Sequence, residues 1–249
     1  MEKKYKLTDE TINLHGITLY RIEALKDFNN VKKGDKGGFV ESELNLSQKG
    51  NCWIYDDACV YDSGRVDGDA YVFDNAQVFN NAHIYEDAQV DGDAKVCCNA
   101  KVCGTAWVYD NARVSGNACV CGAARVYGDA YVSDNAQIYG DAFVYENARI
   151  YDNAQVYGDT CVYGNAIICK DAEIGSNEDY IVFKNWWSSG RYFIWTRSNN
   201  MWSVGCFYGT GEELIKRAYL DSEKSGCEYE RIVHYVEDLL AEENSADDA

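Results

Sequence analysis

Proline is absent from all 249 residues, so nothing in the chain deletes a backbone donor from a hydrogen-bond ladder, as each proline would. Basic residues are scarce, 23 against 41 acidic, for a net charge of −18. A protein that grips phosphates directly is thereby excluded, because that task needs a basic face. The acid is unevenly placed: residues 1–52 sum to +1, 53–175 to −12 and 176–249 to −7. No apolar run approaches membrane length, and no charged-then-apolar opening marks export. Cysteine is plentiful, at eleven residues, but Cys97, Cys98 and Cys103 come nearest to a metal cluster and neither a repeated CxxC pair nor a histidine joins them. No metal and no cofactor is therefore expected, and the thiols read as those of a reduced, cytoplasmic protein.

What the chain does contain is a clock. An aliphatic residue occupies every sixth position without a slip from Ile54, Val60 and Val66 through to Ile168 and Ile174, and four residues after each, up to Ala172, stands an alanine, with Gly64 and Thr160 as the substitutes. Neither a helix nor an alternating strand repeats at six. One large and one small apolar residue on so short a period describe a short strand plus a tight corner, copied until stacking closes a core. Asp and Asn dominate the position before the small residue, where a corner needs side chains that tolerate left-handed backbone and bond their own main chain.

The unit, seen in Val126-Tyr127-Gly128-Asp129-Ala130-Tyr131, resembles the hexapeptide repeat of the left-handed β-helix superfamily, and within it the YdcK-like branch, where G-D-A and x-N-A runs are equally monotonous. The resemblance covers about half the chain. It implies a mainly β fold, a left-handed parallel β-helix with three hexads per coil, in which residues eighteen apart stack. Cys103 and Cys121 then sit one coil apart and read as stacked thiols rather than a disulfide. The expected domains are an N-terminal β cap over 1–52, the β-helix over 53–176, and a C-terminal α+β module with an acidic tail over 177–249.

In the cap, Thr11 to Leu14 and Ile17 to Ile22 flank His15-Gly16 as a tight hairpin would. A cap is required because an open solenoid end exposes core and strand edges. A phosphate loop is the sharper reading of Gly34 to Gly38, without a strand-loop-helix context to support it. After Gly175 the clock stops. Ten aromatics between Asp179 and Thr210, broken by Ser188-Ser189-Gly190 and Ser198-Asn199-Asn200, predict a three-stranded antiparallel meander. Thr210 with Glu213 forms a capping-box pattern into one helix. A second helix places Tyr229, Ile232, Val233, Val236, Leu239 and Leu240 on one face. Part of this segment, Gly205 to Leu214, resembles a small module of phage and prophage repeat proteins, which implies a bacterial host cell.

On the eighteen-residue coil, the residues just before and after each inner one point outward. The face through Ile54, Val72 and Val90 then displays Trp53, Tyr55, Tyr71, Phe73, Trp107, Tyr109, Tyr127, Phe143, Tyr145 and Tyr163, ten aromatics in fourteen places, against four and three on the other faces. Such a bias marks an interface on a soluble protein. The corner that follows carries an acidic ridge of Asp56, Asp57, Asp74, Asp93, Asp110, Asp129 and Glu146, whose simplest reading is turn chemistry.

Three functions are open. The first is a non-catalytic β-solenoid interaction protein, phage- or prophage-associated, that binds a protein partner or itself as a homo-oligomer through the aromatic face. The second is an acidic inhibitor of a bacterial nucleic-acid-targeting defence system, in which ridge and face occupy a basic nucleic-acid-binding protein as a nucleic-acid mimic. Neither involves direct nucleic-acid or membrane binding. The third follows from the resemblance, since many left-handed β-helices are acyltransferases that work as trimers with a catalytic histidine and inserted loops. Here His83 is the one solenoid histidine, no loop interrupts the repeat and no partner carboxylate is evident, so no catalytic residue is assigned.

Overall fold

The computed structural model describes residues 3–247, with side chains to residue 243. They fall into two compact units, divided between Asn177 and Glu178. The first holds the N-terminal strands and the solenoid, and the second holds the last four strands and two helices.

The first unit opens with a hairpin of β1 (Tyr5–Leu14) and β2 (Ile17–Ala24), antiparallel with Leu14 opposite Ile17. His15 and Gly16 turn it at φ values of 53° and 88°, the paired positive φ that a two-residue hairpin requires. A third strand, β3 (Lys36–Val40), adds antiparallel to β2 and then parallel to Cys59–Val60, which joins the cap to the solenoid.

Twenty-one two-residue strands follow, from β4 (Trp53–Ile54) to β24 (Glu173–Ile174). They stack in parallel with an eighteen-residue register, Val72 beside Val90 and Val90 beside Val108. Three sheets result, two of seven strands and a third whose seven solenoid strands are extended by β3, β2 and β1. The chain is thus a three-sided parallel β-solenoid. Backbone amides bond from coil to coil, as in Tyr55 N to Val72 O at 2.7 Å and Tyr109 N to Val126 O at 3.0 Å. Every clock residue is at most 1% exposed, and the small residues between them are buried as well. Burying each such Val or Ile contributes about 1.5–3 kcal/mol, and the same contribution recurs in every hexad.

The corners explain the polar half of the repeat. Asp56, Asp74, Asp110 and Glu146 occupy the left-handed region at φ 50–58°, and Gly92, Gly128 and Gly164 take the same place in the intervening coils. Glycine enters that region freely, and Asp reaches it by bonding backbone locally. At another corner Asn81, Asn99, Asn117, Asn135 and Asn153 form a ladder, each side-chain amide donating to the next residue up, ending on Asp171, at 3.0–3.1 Å.

One expectation about the first unit needs correction. Solenoid stacking begins inside the region read as cap: Val40 pairs with Val60, and Leu46 bridges Val66. The clock therefore starts at Val40 and slips once, between Leu46 and Ile54, through a turn containing Gly50 at φ 68°. The phosphate-loop reading of Gly34 to Gly38, which lacks a strand-loop-helix context in the sequence, gains none in the fold. Gly37 and Gly38 lie in β3, where a Cβ on Gly38 would stand 2.4 Å from Ile54 Cγ2. These glycines allow the cap to approach the first coil.

The second unit has four antiparallel strands where three were expected: β25 (Tyr180–Lys184), β26 (Tyr192–Thr196), β27 (Met201–Val204) and β28 (Phe207–Gly209). The final short strand is formed by residues that read as lead-in to the helix. Thr210 and Glu213 make the expected capping box at the start of α1 (Gly211–Asp221), and α2 (Glu223–Asp247) follows. Tyr229, Val233 and Val236 of α2 pack with Phe193, Trp195, Trp202 and Leu214 in one core, so the aromatics here are largely interior.

Candidate functional site

The aromatic face occupies the sheet that runs from Trp53–Ile54 to Cys161–Val162. Parallel coils place identical positions about 4.8 Å apart, the distance at which aromatic rings stack. Tyr109, Tyr127, Tyr145 and Tyr163 take that arrangement, with ring centroids 4.7, 4.9 and 5.3 Å apart and planes within 12° of parallel. Tyr55 and Phe73 stack likewise at 4.8 Å. Trp107 leans on Tyr109 at 4.6 Å, and Arg125 lies over the Phe143 ring at 5.4 Å. Among the described residues the other two faces carry stacked pairs rather than a column: Tyr61 with Phe79, His83 with Tyr85, and Tyr139 with Tyr157.

Not all ten predicted residues face solvent. Trp53 is 1% exposed, covered by Phe28 and Tyr5 of the cap. The Tyr71 hydroxyl accepts from Asn29 of the cap region. Between Phe73 and Tyr109 the column is broken by Asp91, which accepts the Trp107 indole N–H at 2.8 Å. Burial pushes the Asp91 carboxyl above its usual range, with Asp74 and Asp110 adding to the effect and the Trp107 bond opposing it. What remains as one surface is Trp107, Tyr109, Tyr127, Phe143, Tyr145 and Tyr163, and Tyr163 is half exposed.

The acidic ridge is resolved into two columns. In one, Asp74 accepts the backbone N–H of Gly92 at 3.2 Å, Asp110 that of Gly128 at 3.1 Å, and Asp56 that of Asp74 at 3.4 Å. These carboxylates hold successive corners together. In the other column Asp93 accepts from Asn75 at 3.1 Å. Asp93 and Asp129 also line a groove together with Lys95, Arg113, Arg149 and Tyr131. The ridge is therefore not a uniform line of free negative charge.

His83 does have a carboxylate partner: its Nε2 lies 2.7 Å from Asp67 Oδ2, and its ring stacks on Tyr85 at 4.5 Å. Asp67 precedes His83 by sixteen residues, an offset that the six-residue clock hides. The cysteines are also regrouped. Cys97 and Cys98 contact one another, with sulfurs 3.8 Å apart, whereas Cys103 stands with Cys119 and Cys121, their three sulfurs within 4.8 Å of one another. The spacing Cys119-x-Cys121 plus Cys103 one coil earlier was the available signal.

The fold and its corners define a three-sided hexapeptide-repeat solenoid. Within that class, residues 106–122, 136–152 and 148–164 match the YdcK beta solenoid repeat. The chain is also 36% identical over 72 residues to a protein of Escherichia coli (strain K12) named as the uncharacterized acetyltransferase YdcK. That match spans 26% of this chain and 22% of the relative. Among the described residues, no helix is long and apolar enough to cross a membrane.

Proposed function

We propose that the solenoid is a non-catalytic interaction module that docks on a protein partner, or on a second copy of itself, through the face from Trp107 to Tyr163. The observation that carries this reading is the column of four parallel tyrosine rings at 4.7–5.3 Å, flanked by Trp107, Phe143 and Arg125. Stacked rings are fixed by their neighbours, so little side-chain entropy is lost when a partner covers them. Trp, Tyr and Arg are the residue types that concentrate binding energy at interfaces. The test is sedimentation of wild type and Trp107→Asp/Tyr109→Asp, with and without partners captured by the wild type. The reading expects self-association or capture to be lost in a variant with unchanged circular dichroism. A wild type and variant that run as the same folded monomer and hold the same partners would remove it.

Acyl transfer is the second reading, supported by the His83–Asp67 pair and by the name of the Escherichia coli relative. A nucleic-acid mimic receives less support, because Asp56, Asp74 and Asp110 already accept backbone amides and Asp93 and Asp129 share a groove with Lys95, Arg113 and Arg149. Salt-dependent capture of a basic nucleic-acid-binding protein, abolished in Asp93→Asn/Asp110→Asn/Asp129→Asn, would restore it.

A further inference from the structure

A different sheet of the solenoid carries a cluster that neither the interaction face nor acyl transfer uses. Cys119 and Cys121 flank the buried Val120, so both side chains leave the strand on its outer side. Cys103 occupies the coil before, in the position after the buried Val102, whose strand pairs with that of Val120. The three sulfurs form a triangle with every edge at or below 4.8 Å. We propose that Cys103, Cys119 and Cys121 form a binding site for a soft, thiophilic cation of the Zn(II), Cd(II) or Cu(I) kind, held by three thiolates.

Geometry supports the assignment. A metal–sulfur bond of about 2.3 Å puts the sulfurs of a tetrahedral or trigonal site about 3.8–4.0 Å apart. Rotation about the Cα–Cβ bonds covers the remaining contraction, with no movement of the backbone. That backbone is held on both sides by inter-coil bonds, Cys103 N to Val120 O and Cys121 N to Ile138 O, at 3.0 and 2.9 Å. Cys103 is nearly buried, whereas Cys119 and Cys121 are half-buried, so the triangle is rooted in the sheet with one side open to an entering ion and to a fourth ligand such as water. Three soft donors without a carboxylate select against Mg(II) and Ca(II).

Burial and the neighbouring cysteines push Cys119 up to about 12, and burial raises Cys121. A thiol that binds the ion as thiolate gives up its proton to solvent, which makes affinity rise with pH.

The test uses the full chain, reduced and handled without oxygen. Cd(II) is titrated while thiolate-to-metal charge-transfer absorption is followed, and Zn(II) binding is measured by competition with a chromogenic chelator. One equivalent is expected in the wild type and in Cys97→Ser/Cys98→Ser, with protons released as the ion enters. Tight one-to-one binding is expected to be lost in Cys119→Ser and in Cys121→Ser while circular dichroism is unchanged. These two half-exposed positions carry the test, so poor folding of Cys103→Ser would not affect it. A wild type that binds none of the ions, or one equivalent retained in both Cys119→Ser and Cys121→Ser, would overturn the proposal.

Discussion

Oδ2 of Asp67 and Nε2 of His83 lie 2.7 Å apart across sixteen residues of sequence, and the coil geometry accounts for the pairing. In an eighteen-residue coil, the outward residue after one inner position lies diagonally across from the outward residue before the next inner position up. The same offset joins Tyr61 to Gln77, Asp91 to Trp107, Ser115 to Tyr131 and Tyr139 to Gln155. The His–Asp pair is thus one rung of a recurrent diagonal, filled here by residues that elsewhere would suggest a general base.

On that account His83→Ala is expected to leave circular dichroism and partner capture unchanged and to shift stability by no more than about 0.5 kcal/mol, as for other surface changes. Acetyl transfer from acetyl-CoA is expected in neither protein. An activity present in the wild type and lost in His83→Ala would promote the second functional reading over the first.

Ring stacking along the face gives a graded stability prediction. Tyr127 has a parallel ring on each side, at 4.7 and 4.9 Å, whereas Tyr163 has one neighbour at 5.3 Å and is half exposed. Each aromatic pair contributes about 0.5–1.5 kcal/mol beyond the area it buries. Tyr127→Ala should therefore lower unfolding free energy by roughly 1–3 kcal/mol and Tyr163→Ala by about half as much, measured by urea denaturation. Equal losses, or the larger loss at Tyr163, would mean that the rings do not reinforce one another.

The periodicity made the solenoid legible because each hexad carries the same inner pair, so the twenty-one strands repeat one local decision. It did not reveal where that pattern begins. Val40 and Leu46 already belong to the stack, but the eight-residue step from Leu46 to Ile54 breaks the count. Outward faces could be assigned by arithmetic, which brought the aromatic column together. Arithmetic in steps of eighteen missed the diagonal partners of His83 and Trp107 and the grouping of Cys103 with Cys119, all at sixteen. Cover from other segments is not periodic at all, so the burial of Trp53 under Phe28 became visible only in three dimensions.

The cap joint gives a third prediction. A methyl group at Gly38 would meet Ile54 Cγ2 at 2.4 Å and the Ala58 carbonyl oxygen at 2.5 Å, and the latter accepts from Phe39 N. Backbone cannot retreat there without breaking the parallel pairing of β3. Gly38→Ala should destabilise by about 1–3 kcal/mol, the usual cost of overpacking. Gly34→Ala has open space around its Cβ but sits at φ 94° and should cost only backbone strain. Thermal unfolding of the two variants separates these causes, and a harmless Gly38→Ala would show that the joint is looser than the geometry requires.

Asp91 supplies a pH signature. Burial raises its carboxyl above the usual range, and Asp74 and Asp110 add to that, while the 2.8 Å bond from Trp107 opposes it without prevailing. The folded chain therefore binds this proton more tightly than the unfolded chain does. The resulting stability is fully present below the unfolded value of about 3.9 and is lost as pH rises through the raised native one. At neutral pH the ionised group is thus a cost. Asp91→Asn keeps the size and an acceptor for the indole N–H and carries no charge at any pH. Its melting temperature should exceed that of the wild type at pH 7, and the difference should shrink on acidification toward pH 4. Trp107 fluorescence would report whether the indole stays in place in both proteins. A difference that is constant across this range, or one that grows in acid, would mean that the indole bond outweighs burial and that Asp91 is held ionised as an acceptor for Trp107.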